Sequence, residues 1–205
     1  MNVEHLEVLT EELSMEAFLR EVLPSILRNV SYDVHPYQGK QDLLKHLRER
    51  LRGYSRWLPT GWRILVIVDR DDADCRELKA QLDEAANAAG LPTRSTSARA
   101  EGKVINRLAI EELEAWYFGD WSAVRKAYPR VPEEIPQKAQ YRDPDSVRGG
   151  TWEAFERILQ RAGYFKGGLP KIEAARMIGR QMNPRVNTSR SFQVFRDALL
   201  DLLES

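Results

Sequence analysis

The chain has 205 residues, 42% of them hydrophobic and 30% charged, with 31 Lys plus Arg balancing 31 Asp plus Glu. That length suits one sizeable core, or an α/β core with a helical appendage, and the composition is that of an ordinary soluble protein. A membrane span is excluded because the longest apolar run, residues 64–68, is strand-sized, and the neutral total excludes a basic field spread over the whole surface.

The opening, Met1-Asn2-Val3-Glu4-His5, lacks the basic start and apolar stretch of a secretory signal. The single cysteine, Cys75, cannot form an internal disulfide, and both features lead us to expect a cytoplasmic protein. From there the first half alternates strand and helix signals, which predicts an α/β fold with a mainly parallel sheet flanked by helices. Residues 3–9 read as a short strand. Ser14 then stands where an N-cap belongs, and Ala17, Phe18, Val22, Leu23, Ile26 and Leu27 form an apolar stripe at helical spacing, with Pro24 as a kink or an early end. Residues 31–35 form a weak second strand, and Leu43, Leu44, Leu47, Leu51 and Tyr54 mark a helix that stops before Trp57-Leu58-Pro59-Thr60-Gly61. Ile64-Leu65-Val66-Ile67-Val68 is a continuous apolar run rich in β-branched residues, the pattern of a strand buried on both faces at the centre of a sheet. It ends in Asp69-Arg70-Asp71-Asp72-Ala73-Asp74, and the helix beyond repeats Leu78, Leu82 and Ala86 before Gly90 closes it.

Residues 93–100 and 104–109 offer two more strands, the second running into an acidic helix at 110–118. From about residue 128 the texture changes to loops punctuated by Pro129, Pro132, Pro136, Pro144, Gly149 and Gly150, followed by helices at 152–162, 170–182 and 191–203. Residues 1–127 are therefore read as the α/β core. Residues 128–205 are read as a Pro-rich connector and helical C-terminal extension packed on it, since Trp121, Tyr128, Tyr141 and Trp152 punctuate the connector.

Open parallel sheets bind ligands beyond the carboxyl ends of their strands, and Glu11, Glu12, Asp69, Asp71 and Asp72 all fall there. Asp69 and Asp71 stand two apart at one strand exit, where a loop can turn both carboxylates toward one ion, and Glu11 arrives from the end of the first strand. Hard oxygen ligands of this kind suit Mg²⁺ or Mn²⁺, which accept phosphate oxygens as further ligands. The structural alternative is an acidic loop that caps the next helix and favours its dipole. Convergence of carboxylates from two strand ends favours the metal, because crowded carboxylates repel one another unless a cation is present. His5, His35 and His46 are scattered and none reads as a ligand, while Cys75 reads as a packed structural cysteine. Locally basic segments at 40–56 and 176–196 suit a polyanionic substrate, although solvated helix faces give the same counts.

Leu9-Thr10-Glu11-Glu12-Leu13-Ser14-Met15-Glu16-Ala17-Phe18-Leu19 and the later Val66-Ile67-Val68-Asp69-Arg70-Asp71 resemble the Glu and Asp-x-Asp motifs of Toprim domains. Those domains occur in topoisomerases, bacterial primases, small RNA-maturation nucleases and overcoming-lysogenization-defect nucleases. More closely, the chain resembles the bacterial domain-of-unknown-function 4276 family, itself Toprim-like. The matching segments are Gly39-Lys40-Gln41-Asp42-Leu43, residues 69–75, Ile110-Glu111-Glu112-Leu113-Glu114-Ala115-Trp116, Lys171-Ile172-Glu173-Ala174-Ala175 and Ser189-Arg190-Ser191-Phe192.

The resemblance implies a Toprim-like Rossmannoid sheet with Mg²⁺, or Mn²⁺, held by Glu11, Asp69 and Asp71. Glu114 would be a further metal ligand or a group that orients one. Lys171 would neutralise charge developing on a phosphate, against the alternative of a solvated lysine at a helix end. Toprim nucleases often have Gly directly after the motif Glu and a second acid four residues beyond it, where this chain has Glu12 and Met15. Glu16, one position later, is turned by about 100° on a helix, so a second metal is left open. Lys40 and Asp72 join Glu12 and Glu16 as secondary site residues, as do Ser189 and Ser191, which read first as an N-cap before Phe192 and second as phosphate contacts.

What this implies for function is Mg²⁺-dependent, nuclease-type phosphodiester hydrolysis on DNA or RNA, as the Toprim component of a bacterial anti-phage defence system. Glu11 could instead act as general base if only Asp69 and Asp71 bind the ion. The absence of a Gly-x-x-x-x-Gly-Lys-[Ser/Thr] loop assigns any ATP to a partner of the ABC or AAA ATPase type. Two alternatives stand beside this reading: a non-catalytic or conditionally active subunit of an ATPase-containing complex, and an aspartyl phosphotransferase with Asp69 as nucleophile. A homo-oligomer is compatible with each.

Overall fold

A computed structural model describes residues 3–71, 73–95 and 102–204. The chain runs β1 (His5–Thr10), α1 (Leu13–Leu27), β2 (Ser31–Pro36), α2 (Lys40–Ser55), β3 (Trp62–Asp69), α3 (Cys75–Ala88), β4 (Val104–Ala109), α4 (Leu113–Gly119) and α5 (Trp121–Ala127). Three short 3₁₀ turns at Ile135–Gln137, Ala139–Tyr141 and Pro144–Ser146 lead to α6 (Thr151–Arg161), α7 (Lys171–Gly179) and α8 (Arg190–Leu203). No helix among the described residues is long and apolar enough to cross a membrane.

The four strands form one sheet in the order β2-β1-β3-β4, with every neighbouring pair parallel. The apolar run at 64–68 is the heart of β3, flanked on both sides and buried along its length. Because β2 lies on one side of β1 and β3 on the other, the chain reverses direction across the sheet between these connections. The carboxyl ends of β1 and β3, adjacent in register up to Thr10 and Ile67, therefore flank the switch point where open α/β sheets leave a crevice.

Period-two alternation sends side chains to two cores. Leu6, Val8, Leu65, Ile67 and Ile105 face a core shared with α1 and with α4 to α8, while Leu9, Ile64, Val66 and Val68 face the one under α2 and α3. On the first side α7 packs along α1 and α8 lies over β4. Gly179 makes the α1–α7 approach close, since a Cβ there would sit 3.0 Å from Glu21 Cβ and 3.2 Å from the Phe18 carbonyl oxygen. Trp116, Phe192 and Phe195 interlock α4 with α8, and Phe118 stacks on Tyr141 and Trp121.

Several local expectations need correction. Helix α1 begins at Leu13 with Glu12 at its N-cap, so Ser14 lies inside the first turn, where its hydroxyl donates to the Glu12 carboxylate. Pro24 lies inside α1; the helix ends at Leu27, where Arg28 adopts φ 56°. Of the strand expected at 93–100, Thr93 makes a single parallel bridge to Val104 and 96–100 lie outside the described residues. The acidic helix begins three residues late, at Leu113, because Glu111 takes a left-handed backbone conformation, φ 63°, that a helix cannot include. The short helix α5 was not foreseen.

Candidate metal centre at the carboxyl ends of β1 and β3

Glu11 is the first residue beyond β1 and is buried. Its carbonyl oxygen accepts from the Gly39 N–H at 2.7 Å, and Gly39 adopts φ 105°, which an L side chain rarely permits. The start of α2 is thereby drawn over the end of β1. The Glu11 side chain turns to β3, where Oε2 accepts from the backbone N–H of Asp69 at 3.2 Å.

Asp69 is the last residue of β3 and is buried, and its Oδ1 has no hydrogen-bond partner among the described residues. Burial raises the Asp69 carboxyl well above the usual carboxylate range, with Glu11, Glu114, Glu12 and Asp71 adding repulsion. Burial likewise pushes Glu11 up to about 7, helped by Asp71 and Glu12 and opposed by the Asp69 N–H and by Lys40. Two neighbouring carboxyls thus share a pocket that disfavours their charge.

Asp71 lies at the rim with about half its side chain exposed, and Lys40 Nζ, from the first turn of α2, donates to its Oδ2 at 2.5 Å and to the Arg70 carbonyl at 3.0 Å. Backbone bonds from Arg70 N–H to Ala109 (2.8 Å) and from Asp71 N–H to Glu111 (2.9 Å) tie the exits of β3 and β4 together. Asp71 at φ 48° and Glu111 at φ 63° both hold left-handed conformations, and Arg70 pairs with Glu111 across this junction.

From the other side comes α4, whose Glu114 is buried and is pushed up to about 7 by that burial, Lys171 opposing and Glu112 and Glu12 reinforcing the shift. Lys171 opens α7 with its Nζ 4.6 Å from the centre of the Trp152 ring. Burial pulls the Lys171 ammonium down, but Glu114, Glu12, Glu112 and Asp69 outweigh it and the net shift is upward. Glu11, Glu12, Asp69 and Glu114 therefore belong to one electrostatic neighbourhood with Lys40 and Lys171 at its margins.

Two members of that neighbourhood were not singled out in the sequence. Glu112 Oε2 accepts from the Thr151 hydroxyl and the Trp152 N–H, each at 2.8 Å, and so fixes the start of α6 beside Lys171. Tyr117 is buried with its hydroxyl unpartnered, and the charges of Glu114 and Asp69 add to burial in raising its pKa. Glu112 was within the matched 110–116 segment, whereas nothing in the sequence marked Tyr117 as more than a core aromatic.

Other expected site residues lie elsewhere or are otherwise engaged. Glu16 pairs with Arg20 one turn along α1, 2.9 Å away. The Ser189 hydroxyl accepts from the Phe192 N–H at 3.1 Å as the α8 N-cap, and both Ser189 and Ser191 donate to Asp145 Oδ1 at 2.8 Å. Ser191 also accepts from Trp116 Nε1, so both hydroxyls are engaged within the fold, in keeping with the N-cap reading. Asp72 lies outside the described residues, and Cys75 is exposed rather than packed.

The three expected ligands are only partly brought together. Glu11 meets Asp69 directly, but Asp71 is held by Lys40. Among the described residues, the group of three His, Asp or Glu side chains whose donor atoms lie within 4.8 Å of one another is instead His5, Glu7 and Asp33. The orphaned Asp69 Oδ1 beside Glu11 nevertheless fits a hard divalent cation, which would offset the burial and the mutual repulsion that raise both groups.

A family model described as Domain of unknown function (DUF4276) matches residues 10–200, from the last residue of β1 into α8. Searches of curated proteins and of solved structures return no match.

Proposed function

The chain belongs to the DUF4276 family, and we propose that its carboxylate pocket holds Mg²⁺ for hydrolysis of phosphodiester bonds in DNA or RNA. The supporting observation is the buried Asp69 Oδ1, which has no hydrogen-bond partner among the described residues although Glu11 lies against the same residue. A buried carboxylate oxygen without a donor is costly, and a cation is the partner that suits a neighbourhood made of other carboxylates. Glu11 and Asp69 would be the inner ligands, with Asp71 joining them on release from Lys40. Bound there, the ion would supply Lewis-acid stabilisation of charge on a phosphate oxygen.

The protein's own groups account for the rest. Lys40 and Lys171 offer cationic hydrogen-bond donors to a phosphate from α2 and from α7. Glu114, with a pKa of about 7, is matched to exchanging a proton near neutrality. The left-handed backbone at Asp71 and Glu111 holds the strand exits in a sparsely populated conformation, a feature that clusters at functional sites. The Toprim-like resemblance supports nucleic acid as the substrate and a partner ATPase, in an anti-phage system, as the setting.

The test is cleavage of plasmid, single-stranded DNA and RNA with Mg²⁺ or Mn²⁺, by the chain alone and with an ATPase encoded beside it. Asp69→Asn and Glu11→Gln should each lower metal-dependent cleavage by orders of magnitude, since the ion supplies several kcal/mol of transition-state stabilisation. Cleavage by both variants at the parent rate and metal dependence would sink the mechanism.

A further inference from the structure

The α2 face of the β1–β2 pair carries a second set of polar side chains that the proposed activity does not use. Parallel register places His5 opposite Ser31 and Glu7 opposite Asp33, so all four project from the same face. His5 is only 7% exposed. Its Nδ1 lies 2.7 Å from Ser31 Oγ, and the Ser31 hydroxyl donates to the Glu4 carbonyl at 3.1 Å. The tautomer fit to bind a metal has Nδ1–H donating to Ser31 Oγ, whose own proton goes to the Glu4 carbonyl, and keeps its lone pair on Nε2.

That nitrogen is buried and has no hydrogen-bond partner among the described residues. It faces Glu7 Oε1 and Asp33 Oδ2, each at 3.7 Å, and neither oxygen carries a proton to give when ionised. Both inner side chains are held in place. Trp62 packs on the imidazole with ring centres 4.0 Å apart, while Glu7 Oε2 accepts from the Tyr54 hydroxyl at 2.8 Å and is engaged by His35 Nε2 at 2.5 Å. Glu7 Oε1 is therefore left turned to His5.

One imidazole nitrogen and two carboxylate oxygens thus converge within 4.8 Å of one another. Donor atoms around a four-coordinate ion with metal–ligand distances of about 2.0 Å stand about 3.3 Å apart, so the two 3.7 Å separations from His5 close by a few tenths of an ångström, while the two carboxylate oxygens, within 4.8 Å of each other, draw together as the exposed Asp33 side chain turns inward. An imidazole with two carboxylates suits a first-row transition ion better than Mg²⁺ or Ca²⁺, and the serine and tyrosine contacts are of the kind that orient metal ligands. We propose that His5 Nε2, Glu7 Oε1 and Asp33 Oδ2 form a site for such a divalent cation, with Zn²⁺ as its probe, tying the edge strand β2 to β1 independently of the Glu11–Asp69 pocket. The remaining coordination position opens to solvent past Asp33, whose side chain is 65% exposed.

The experiment titrates Zn²⁺ calorimetrically into the full chain, freed of metal with EDTA and dialysed into excess Mg²⁺ to occupy the other pocket. Parent protein should take up one Zn²⁺ per chain, and Co²⁺ in its place should give visible d–d absorption. Asp33→Asn, at an exposed position that leaves the fold intact, should weaken Zn²⁺ by about tenfold or more, and His5→Gln should abolish the Co²⁺ bands. Asp69→Asn should bind Zn²⁺ as the parent does. Absence of uptake by the parent, parent affinity in Asp33→Asn, or loss of uptake in Asp69→Asn would each overturn the site.

Discussion

Asp69 and Glu11 hold their carboxyls where water is scarce and other acids are close, and this has a measurable consequence for stability without metal. The folded-state pKa of Glu11, and that of Glu114, is raised from 4.5 to about 7, and Asp69 shifts in the same direction. A raised carboxyl binds more protons folded than unfolded, so its contribution is fully present below the unfolded value and is lost as pH rises through the folded one. In EDTA, thermal melts should show Glu11→Gln gaining on the parent as pH rises from about 4.5 to about 7, the window those shifts define. Mg²⁺ should reverse the order at high pH, because its ligands must be deprotonated. A parent that outperforms Glu11→Gln increasingly with pH in EDTA would show that the carboxyl is stabilised as an anion by something other than metal. These two acids are legible in the sequence because Asp69 directly follows the apolar run of one strand and Glu11 stands two residues beyond the end of another, residues 3–9. The partnership of Asp71 with Lys40 was not legible, since it depends on how Gly39 turns the start of α2 over β1.

At the level of elements, the paired serines before Phe192 show how one motif can serve two readings. Asp145, in the 3₁₀ turn at Pro144–Ser146, accepts from both serine hydroxyls at 2.8 Å and from the Ser191 N–H at 2.9 Å, fastening that turn to the start of α8. Hydrogen bonds to a charged group contribute about 1.5–3 kcal/mol each, net of the bonds to water that they replace. Asp145→Ala should therefore lower stability in urea by about 2 kcal/mol or more, with Zn²⁺ and Mg²⁺ binding unchanged. Metal-dependent cleavage lost at full stability would instead restore the phosphate-contact reading. The strand and helix pattern was readable because β3 carries an unbroken apolar run and α2, α3 and α8 carry apolar stripes. The His5, Glu7 and Asp33 group is not, for Asp33 comes from another strand and meets His5 and Glu7 of β1 only through the β1–β2 register. Histidines that looked scattered along the chain, His5 and His35, thus stand on neighbouring strands around Glu7.

For the whole molecule, the question is whether residues 1–127 and 128–205 are separable. The core on the α1 side draws Phe18, Val22 and Leu65 together with Phe155, Ala175, Ile178, Phe195 and Leu199. Removing everything after residue 127 would uncover the apolar face of α1 that α7 covers and the side of β4 that α8 covers. Uncovering a contiguous apolar surface of that kind favours aggregation or loss of fixed packing over a smaller native core. It would also remove Lys171 and leave Glu114 without its opposing charge. The full chain should therefore unfold in one transition, with tryptophan fluorescence and far-ultraviolet circular dichroism giving coincident urea curves. A fragment of residues 1–127 should show no cooperative transition and should elute as an aggregate or an expanded chain. A monomeric fragment with a sharp melt would establish the N-terminal part as a domain in its own right. The carboxylate pocket would then be completed by a docked appendage, and Lys171 would reach it only while that appendage is in place.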